Sequence, residues 1–375
     1  MKKVLVIAPY RDGTGWSHSS EQTILALDAV DIDVVPRAIK LNDVSGEVSE
    51  RIVELEKKST KGADIVIQYL LPHQLDYSGH FQKNIAYYMT ETSHFRNTSW
   101  PQRINTMDEA WVPCEQNKTA AVESFVTKPI HVVPVPADTE KYQKKYEKLS
   151  IPQLKDKFVF YHIGEVNRRK NLATLVKAFH LEFGPQEPVA LVIKGVVPGA
   201  SVADTEKHIA EICNQTKKHL KLYNRVDIYH GEIIISQRLT EEQIMGLHAS
   251  CDCYVSPSYG EAWNIPAFDA MAMGKTPICT NIGGPSDYLD AGKEDAGWLI
   301  PWKKEPVFGM EGTFDDLYVG NEDWAAIDIY RLRLAMRAAF EDKELREQKA
   351  EAGIARANDY SQQAVGMIMK GLLDE

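Results

Sequence analysis

The chain has 375 residues, 44% hydrophobic and 26% charged, with a net charge of −10 divided as −2 over residues 1–150 and −8 over the rest. That length suits two domains, and with neither half basic the balance argues against a nucleic-acid partner and a broad contact with anionic lipid. No apolar run approaches the roughly 18 residues that cross a bilayer, and five scattered cysteines without a Cys-x-x-Cys pair read as reduced core residues, not as a zinc site.

The apolar stretch of MKKVLVIAPYRDG stops at Pro9, Arg11 and Asp12, too short for a signal peptide. It reads as a first strand over residues 4–8, and the expected location is the cytoplasm. The next loop carries Gly13 and Gly15, which allow a tight turn and a close backbone approach to a ligand, followed by Trp16. Residues 17–20 read as a helix start. Short apolar runs predict strands at 32–35, 64–70, 85–89, 109–112 and 130–133, with helices near 20–30, 46–58 and 115–125. Within YYMTETSHF, residues 87–95, Glu91 is a candidate for base chemistry, with His94 nearby. The polar stretch 138–157, including the basic run KYQKKYEK, reads as a solvated link.

A second series follows. Strands are expected at 158–163, 190–194, 226–229, 252–255, 276–279 and 298–300, and helices at 171–183, 205–218, 241–249, 267–273 and 324–340. Such alternation means βαβ units. The expectation is an α/β protein of two Rossmann-like domains, with mostly parallel sheets facing across a cleft. The domains are placed at 1–145 and 146–358, and an amphipathic helix follows at 361–373. Ligands of parallel sheets sit outside the carboxyl ends of the strands, so the loops there are the place to look for chemistry.

Two such loops stand out. In SPSYGEAWNIPAFDAMAMG, residues 256–274, a strand ends at Ser256, a loop carries Glu261, and Asn264 is a plausible N-cap for a helix with Pro266 in its first turn. The free N–H groups and dipole of that helix start suit a phosphate, with Glu261 and Asp269 as two carboxylates on either side of the turn. In YHIGEVNRRKNLATLVKAF, residues 161–179, Arg168, Arg169 and Lys170 close the loop, cations of the kind that stabilise a departing diphosphate.

The first loop resembles the signature of the group 1 retaining glycosyltransferases with the GT-B fold, written P-S-x-x-E-G-F-G-L-P-x-x-E-A-M-A. Here Pro257 and Ser258 are followed by Glu261, Ala262, Trp263, Asn264, Ile265 and Pro266, then by Asp269, Ala270, Met271 and Ala272. Gly283, Gly284 and the segment 297–301 also fit. The second loop is similar to the family's G-x-x-x-x-x-K-N-x-x-x-L-x-x-A-F. The resemblance implies that Glu261 contacts the donor sugar near the reacting carbon, that Asp269 with Trp263, Asn264 and Ile265 contacts the donor, and that Lys170 grips its diphosphate. This chain has Asp269 where the family mostly has Glu, and Glu165 where many members have Arg, so Arg169 or Arg168 would supply the second cation. The glycine loop from Gly13 to Trp16 would lie at the donor–acceptor junction, and Glu91 on the acceptor side. Trp16, Trp100 and Trp263 are candidates for sugar stacking, although tryptophans this sparse more often pack. The last helix, within 359–375, would return to the N-terminal domain.

The implied activity is transfer of a sugar from a nucleotide-diphosphate donor, UDP or GDP, to an acceptor the sequence does not identify, with retention of configuration and no metal or other cofactor. Asp31 and Asp33 lie at a strand start, where solvation or capping explains them. A second reading is a non-catalytic relative that binds a nucleotide sugar or serves as a scaffold; Glu165 and Asp269 favour it, and Glu261 with Lys170 opposes it. A nicotinamide-dependent oxidoreductase lacks the full glycine fingerprint with its acidic partner. Oligomeric state is open.

Overall fold

The structure, a computed structural model, describes residues 2–41, 45–290, 295–311, 313 and 317–375. The chain divides into two compact units: Met1–Lys141 with Thr313–Glu322 and Ala357–Glu375, and Tyr142–Gly312 with Asp323–Arg356.

The first unit is built on β1 (Lys3–Ala8), β2 (Asp33–Ala38), β3 (Ile65–Tyr69), β4 (Lys83–Tyr87), β5 (Glu109–Val112) and β6 (Ile130–Val132). They form one sheet in the order β2-β1-β3-β4-β5-β6, every pair parallel. The central strands are buried on both faces, as the unbroken run Ile65–Tyr69 shows, the usual mark of a parallel sheet covered by helices. Pro36 is confined to β2 at the edge, where a missing N–H costs least.

Helices α1 (Gly15–Ala29), α2 (Glu50–Glu56), α3 (Trp100–Ile104) and α4 (Glu115–Glu123) cross over between strands. The first begins at Gly15, before the expected 17–20, because the Thr14 hydroxyl caps the Ser17 N–H at 3.3 Å. The first half of its buried face is polar, and the hydroxyls there are satisfied locally: Ser17 donates to the Tyr10 carbonyl at 2.8 Å and Thr23 to that of Ser19 at 2.9 Å.

In the second unit β7 (Phe158–Glu165), β8 (Val189–Val196), β9 (Ile233–Ile235), β10 (Cys253–Ser256), β11 (Ile278–Thr280) and β12 (Trp298–Ile300) form a parallel sheet ordered β12-β11-β10-β7-β8-β9. A hairpin of β13 (Trp302–Pro306) and β14 (Asp323–Ile327) stands apart from it. The helices are α5 (Leu172–Glu182), α6 (Val202–Leu220), α7 (Glu241–Ser250), α8 (Ile265–Ala272), α9 (Gly284–Leu289), α10 (Ile329–Glu341) and α11 (Lys343–Ala357). The core joins Phe160, Leu191 and Ile193 of the sheet to Leu175 and Phe179 of α5 and to Leu332 and Met336 of α10.

Two expected elements differ. Residues 226–229 are not a strand: Val226–Ile228 is a short 3-10 turn, because the Tyr229 hydroxyl ties this stretch to the end of α6 through Leu222 N–H at 2.9 Å and the Lys217 carbonyl at 3.1 Å. The sheet edge is taken by the isoleucine run of β9 instead. The helix expected over 324–340 starts only at Ile329, where the Asp328 carboxylate caps Tyr330 and Arg331 N–H at 2.9 and 3.2 Å. Trp324 and its neighbours form β14, held by an Ala325 N–H bond to the Tyr259 carbonyl at 2.8 Å.

The last helix, α12 (Gln362–Asp374), lies along α1 in the first unit. Lys370 Nζ donates to the Val30 carbonyl at 2.7 Å and Gln362 to Gln22 at 2.8 Å. The backbones approach closely at Gly366, where a Cβ would lie 2.3 Å from the Ala26 carbonyl oxygen. The boundary falls at Lys141 rather than at residue 145, and Thr313–Glu322 lies with the first unit rather than within 146–358. All five cysteines are free and buried. Among the described residues no helix is long and apolar enough to cross a membrane.

Candidate functional site

Strands β7 and β10 are neighbours in the second sheet, so the loops leaving their carboxyl ends come together. These are the two loops the sequence singles out, 94 positions apart between His162 and Ser256. Four polar contacts lock them. Asn171 Nδ2 donates to the Pro257 carbonyl at 3.0 Å, the Tyr259 N–H to that of Arg169 at 2.8 Å, Arg169 Nη1 to that of Gly260 at 2.7 Å, and Lys170 Nζ to Glu261 Oε1 at 2.6 Å. Arg169 Nη1 also reaches Glu261 Oε2 at 3.3 Å. Asn167 shapes the turn by accepting the Lys170 N–H at 3.1 Å, and Asn171 takes the left-handed φ of 56° that asparagine tolerates.

Glu261 is 6% exposed. Burial alone would push its carboxyl up, but Lys170 and Arg169, with hydrogen bonds from Lys170 and Ser258, outweigh it and hold the pKa down at about 2. The cluster of two cations and one carboxylate is thus ionised and carries one net positive charge. Close to it lies His162, buried within β7. Its Nδ1–H donates to the Val255 carbonyl at 2.9 Å, and burial lowers its pKa to about 4, so the ring is neutral at neutral pH. A Cβ on Gly164 would meet His162 Nε2 at 3.2 Å and the Lys170 stem at 3.6 Å.

The loop of Glu261 sits on the glycine pair at the start of α9. Gly283 has φ 68°, and a Cβ there would lie 1.5 Å from the Glu261 carbonyl oxygen; a Cβ on Gly284 would lie 2.8 Å from the Trp263 backbone. Gly283→Ala is therefore expected to destabilise the protein well beyond the about 1 kcal/mol typical of a point substitution. Thermal denaturation checks this, and an unchanged midpoint would refute the close seating of Glu261 on this turn.

The other donor-side residues divide. Asp269, one turn into α8, is buried and accepts the Tyr142 hydroxyl at 2.6 Å. Asn264 occupies the expected N-cap position of α8 at φ 64°, but its side chain makes no capping bond; it accepts from the Tyr254 hydroxyl at 3.4 Å and donates to Ser256 Oγ at 3.0 Å. Trp263 is 4% exposed, with its ring against Phe268 and Tyr288, so it packs rather than offering a stacking face. Ile265, half-buried, opens α8. Of the two arginines, Arg169 reaches Glu261 while Arg168 is exposed, its guanidinium 5.5 Å from the Tyr259 ring centre.

In the first unit, Gly13 is exposed at φ 61° and Gly15 begins α1. Trp16 is half-buried and stacks on Tyr69 with ring centres 5.5 Å apart, and Trp100 is buried against Phe95. Glu91, half-buried on the loop after β4, accepts the Tyr318 hydroxyl at 2.6 Å. Asp33 pairs with Lys58 at 3.0 Å. No pattern in the sequence marks Tyr142 or Tyr318, whereas His162 is the satisfied core histidine that its place in an apolar strand suggests.

With this geometry in view, comparison with known proteins is informative. Residues 144–306 match the model of the family described as glycosyl transferases group 1. The chain is 26% identical over 240 residues to D-inositol 3-phosphate glycosyltransferase of Corynebacterium jeikeium (strain K411), covering 60% of this chain and 54% of that protein. It thus spans about half the length of that curated relative. Among solved structures it is similar to sucrose-phosphate synthase from Thermosynechococcus elongatus, at TM-score 0.66 and 15% identity, covering 100% of this chain and 98% of the other. Anabaena HepE in complex with UDP and glucose matches at TM-score 0.63 and 13% identity, with both chains covered in full. The architecture of the chain is the GT-B fold.

Proposed function

We propose that this chain, which carries a group 1 glycosyl transferase segment on a GT-B fold, transfers a sugar from a nucleotide-diphosphate donor to an acceptor hydroxyl. The observation that carries the reading is the cluster of buried Glu261 with half-buried Lys170 and Arg169 at adjoining strand ends. Its single surplus positive charge suits a diphosphate, and Glu261 spaces the two cations so that neither is left bare. In this reading Lys170 and Arg169 hold the diphosphate, Glu261 contacts the sugar, and Asp269, oriented by Tyr142, reaches the ribose. Ile265 and Asn264 approach the donor through the backbone at the start of α8, whose dipole adds to the positive field. Gly13, Gly15 and Trp16 belong near the donor–acceptor junction, Glu91 on the acceptor side, and Arg168 at the rim.

Retention of configuration fits a protein that positions rather than bonds covalently. The bond from the anomeric carbon to the diphosphate oxygen breaks, the acceptor oxygen bonds to that carbon on the same face, and the acceptor proton passes to the departing phosphate. Charge growing on that phosphate falls on Lys170 and Arg169, which serve where other enzymes use a divalent metal. HepE, of the same fold, is solved with UDP and glucose, which supports UDP as donor nucleotide, with GDP as the other choice.

A thermal-shift screen of the purified protein against UDP, GDP, ADP, NAD and a panel of nucleotide sugars tests the reading. UDP or GDP and one of their sugars are expected to raise the midpoint, since a ligand at about 100 times its Kd adds about 2.7 kcal/mol to the native state. A folded sample that responds to none of them sinks the transferase and leaves a scaffold that binds no nucleotide sugar.

A further inference from the structure

We propose that Tyr318 is a positioning residue for the acceptor side of the reaction, holding the Glu91 carboxylate in its working orientation. The inference rests on the transferase reading and adds to it a residue that no sequence signal marks.

The hairpin of β13 and β14 closes with Pro306 opposite Asp323, so the chain between them runs far beyond the 2–5 residues of an ordinary hairpin loop. Part of it, Thr313–Glu322, belongs to the first unit although both flanking strands belong to the second. Leu317 anchors it, 3% exposed among Leu70, Phe95 and Trp100 of the first unit's apolar cluster.

The next residue is strained. Tyr318 has φ 64°, a conformation that a bulky side chain adopts only when its surroundings impose it. Two bonds do so. Its N–H donates to Glu322 Oε2 at 2.9 Å, and its hydroxyl to Glu91 Oε2 at 2.6 Å. Glu322 is 2% exposed; burial raises its carboxyl to about 7 against the pull of the Tyr318 and Val319 N–H groups. A buried carboxyl and a strained backbone are thus both committed to placing one phenol.

The phenol meets a pinned loop. Glu91 follows β4 at the carboxyl end of a parallel sheet, the edge where ligands bind. Asn117, fully buried on α4, brackets the preceding residue, donating to the Thr90 carbonyl at 2.8 Å and accepting its N–H at 3.0 Å. With the backbone held there, the Tyr318 hydroxyl bonds one oxygen of the Glu91 carboxylate and so restrains its direction.

The test compares wild type, Tyr318→Phe, Glu91→Gln and the double variant. Nucleoside-diphosphate release from the nucleotide sugar is measured with water as acceptor and again with 4-nitrophenyl glycosides added. The thermal shift given by the free nucleoside diphosphate is measured in parallel. Tyr318→Phe keeps the ring and its packing, so its thermal shift is expected to match wild type. Its release rate is expected to fall on the order of tenfold, the effect of losing one hydrogen bond to a charged group. The double variant is expected to be no slower than Glu91→Gln alone, since the two residues act as one.

Unchanged release in Tyr318→Phe, additive losses in the double variant, or a lost thermal shift in Tyr318→Phe would each overturn the positioning role. Wild type that neither binds nor turns over any nucleotide sugar overturns the transferase reading, and this inference with it.

Discussion

Glu261→Gln is expected to lower the rate of sugar transfer by roughly two to three orders of magnitude and, at the same time, to tighten binding of the free nucleoside diphosphate. The split follows from charge. The amide keeps the size of the side chain but removes the one negative group from between Lys170 at 2.6 Å and Arg169 at 3.3 Å. The cluster then carries two positive charges instead of one, which a diphosphate neutralises better. In the proposed reaction the sugar, by contrast, would lose a carboxylate near the carbon on which positive charge grows as the bond breaks.

Stability should move as well. The folded pKa of Glu261, about 2, is depressed below the 4.5 of an ordinary glutamate. Its contribution to stability is therefore present above pH 4.5 and lost as pH falls through about 2. At neutral pH the variant forgoes it and leaves two half-buried cations without their counter-charge, a loss of about 2 kcal/mol that bound nucleoside diphosphate should partly restore. Steady-state kinetics, calorimetric titration and thermal unfolding read the three effects separately. Full activity in a folded Glu261→Gln protein would dismiss this cluster as the site.

Lys170→Ala is the complementary case. It should weaken nucleoside-diphosphate binding on the order of a hundredfold, as for loss of a charge-assisted contact, while the parent nucleoside binds within about a factor of two of wild type. The selectivity is the point. The ammonium is placed at the strand end by the Asn167 turn and reaches for charge, so a ligand without phosphates should not register its absence. Titration with UDP against uridine, or GDP against guanosine, decides the matter. Equal losses for both members of a pair would mean that the substitution disturbs the fold and that Lys170 has no phosphate role.

Much of the fold is legible in the sequence because parallel strands buried on both faces must be written as continuous apolar runs. Residues 109–112 and 298–300 are expected as strands and are observed as Glu109–Val112 and Trp298–Ile300. The misreadings lie where local pattern is overruled by a distant partner. Residues 324–327 are compatible with a helix, but the backbone of Trp302–Pro306 pairs with them and Tyr259 accepts a bond from Ala325. Residues 226–229 look like a strand, but the Tyr229 hydroxyl is drawn to the end of α6.

The candidate site divides in the same way. Motif spacing within single loops identifies Glu261, Asp269, Lys170 and the two arginines, because each loop leaves a strand end and its chemistry is local. Which arginine joins Glu261 is a tertiary outcome: Arg169 is turned in by the Gly260 carbonyl and Arg168 out over Tyr259. So is the fate of Trp263, whose ring completes an apolar core. Tyr142 and Tyr318 lie 127 and 227 positions from the carboxylates they meet. No periodicity or cap links residues so far apart; only the closing of the chain brings them together. The sequence by itself determined the two parallel sheets and the charged loops at their ends, since hydrophobic period and turn chemistry are local properties. The tertiary structure decided which charges pair, which aromatic rings are spent on packing and which hydroxyls meet the carboxylates, because those choices depend on distances that exist only after folding.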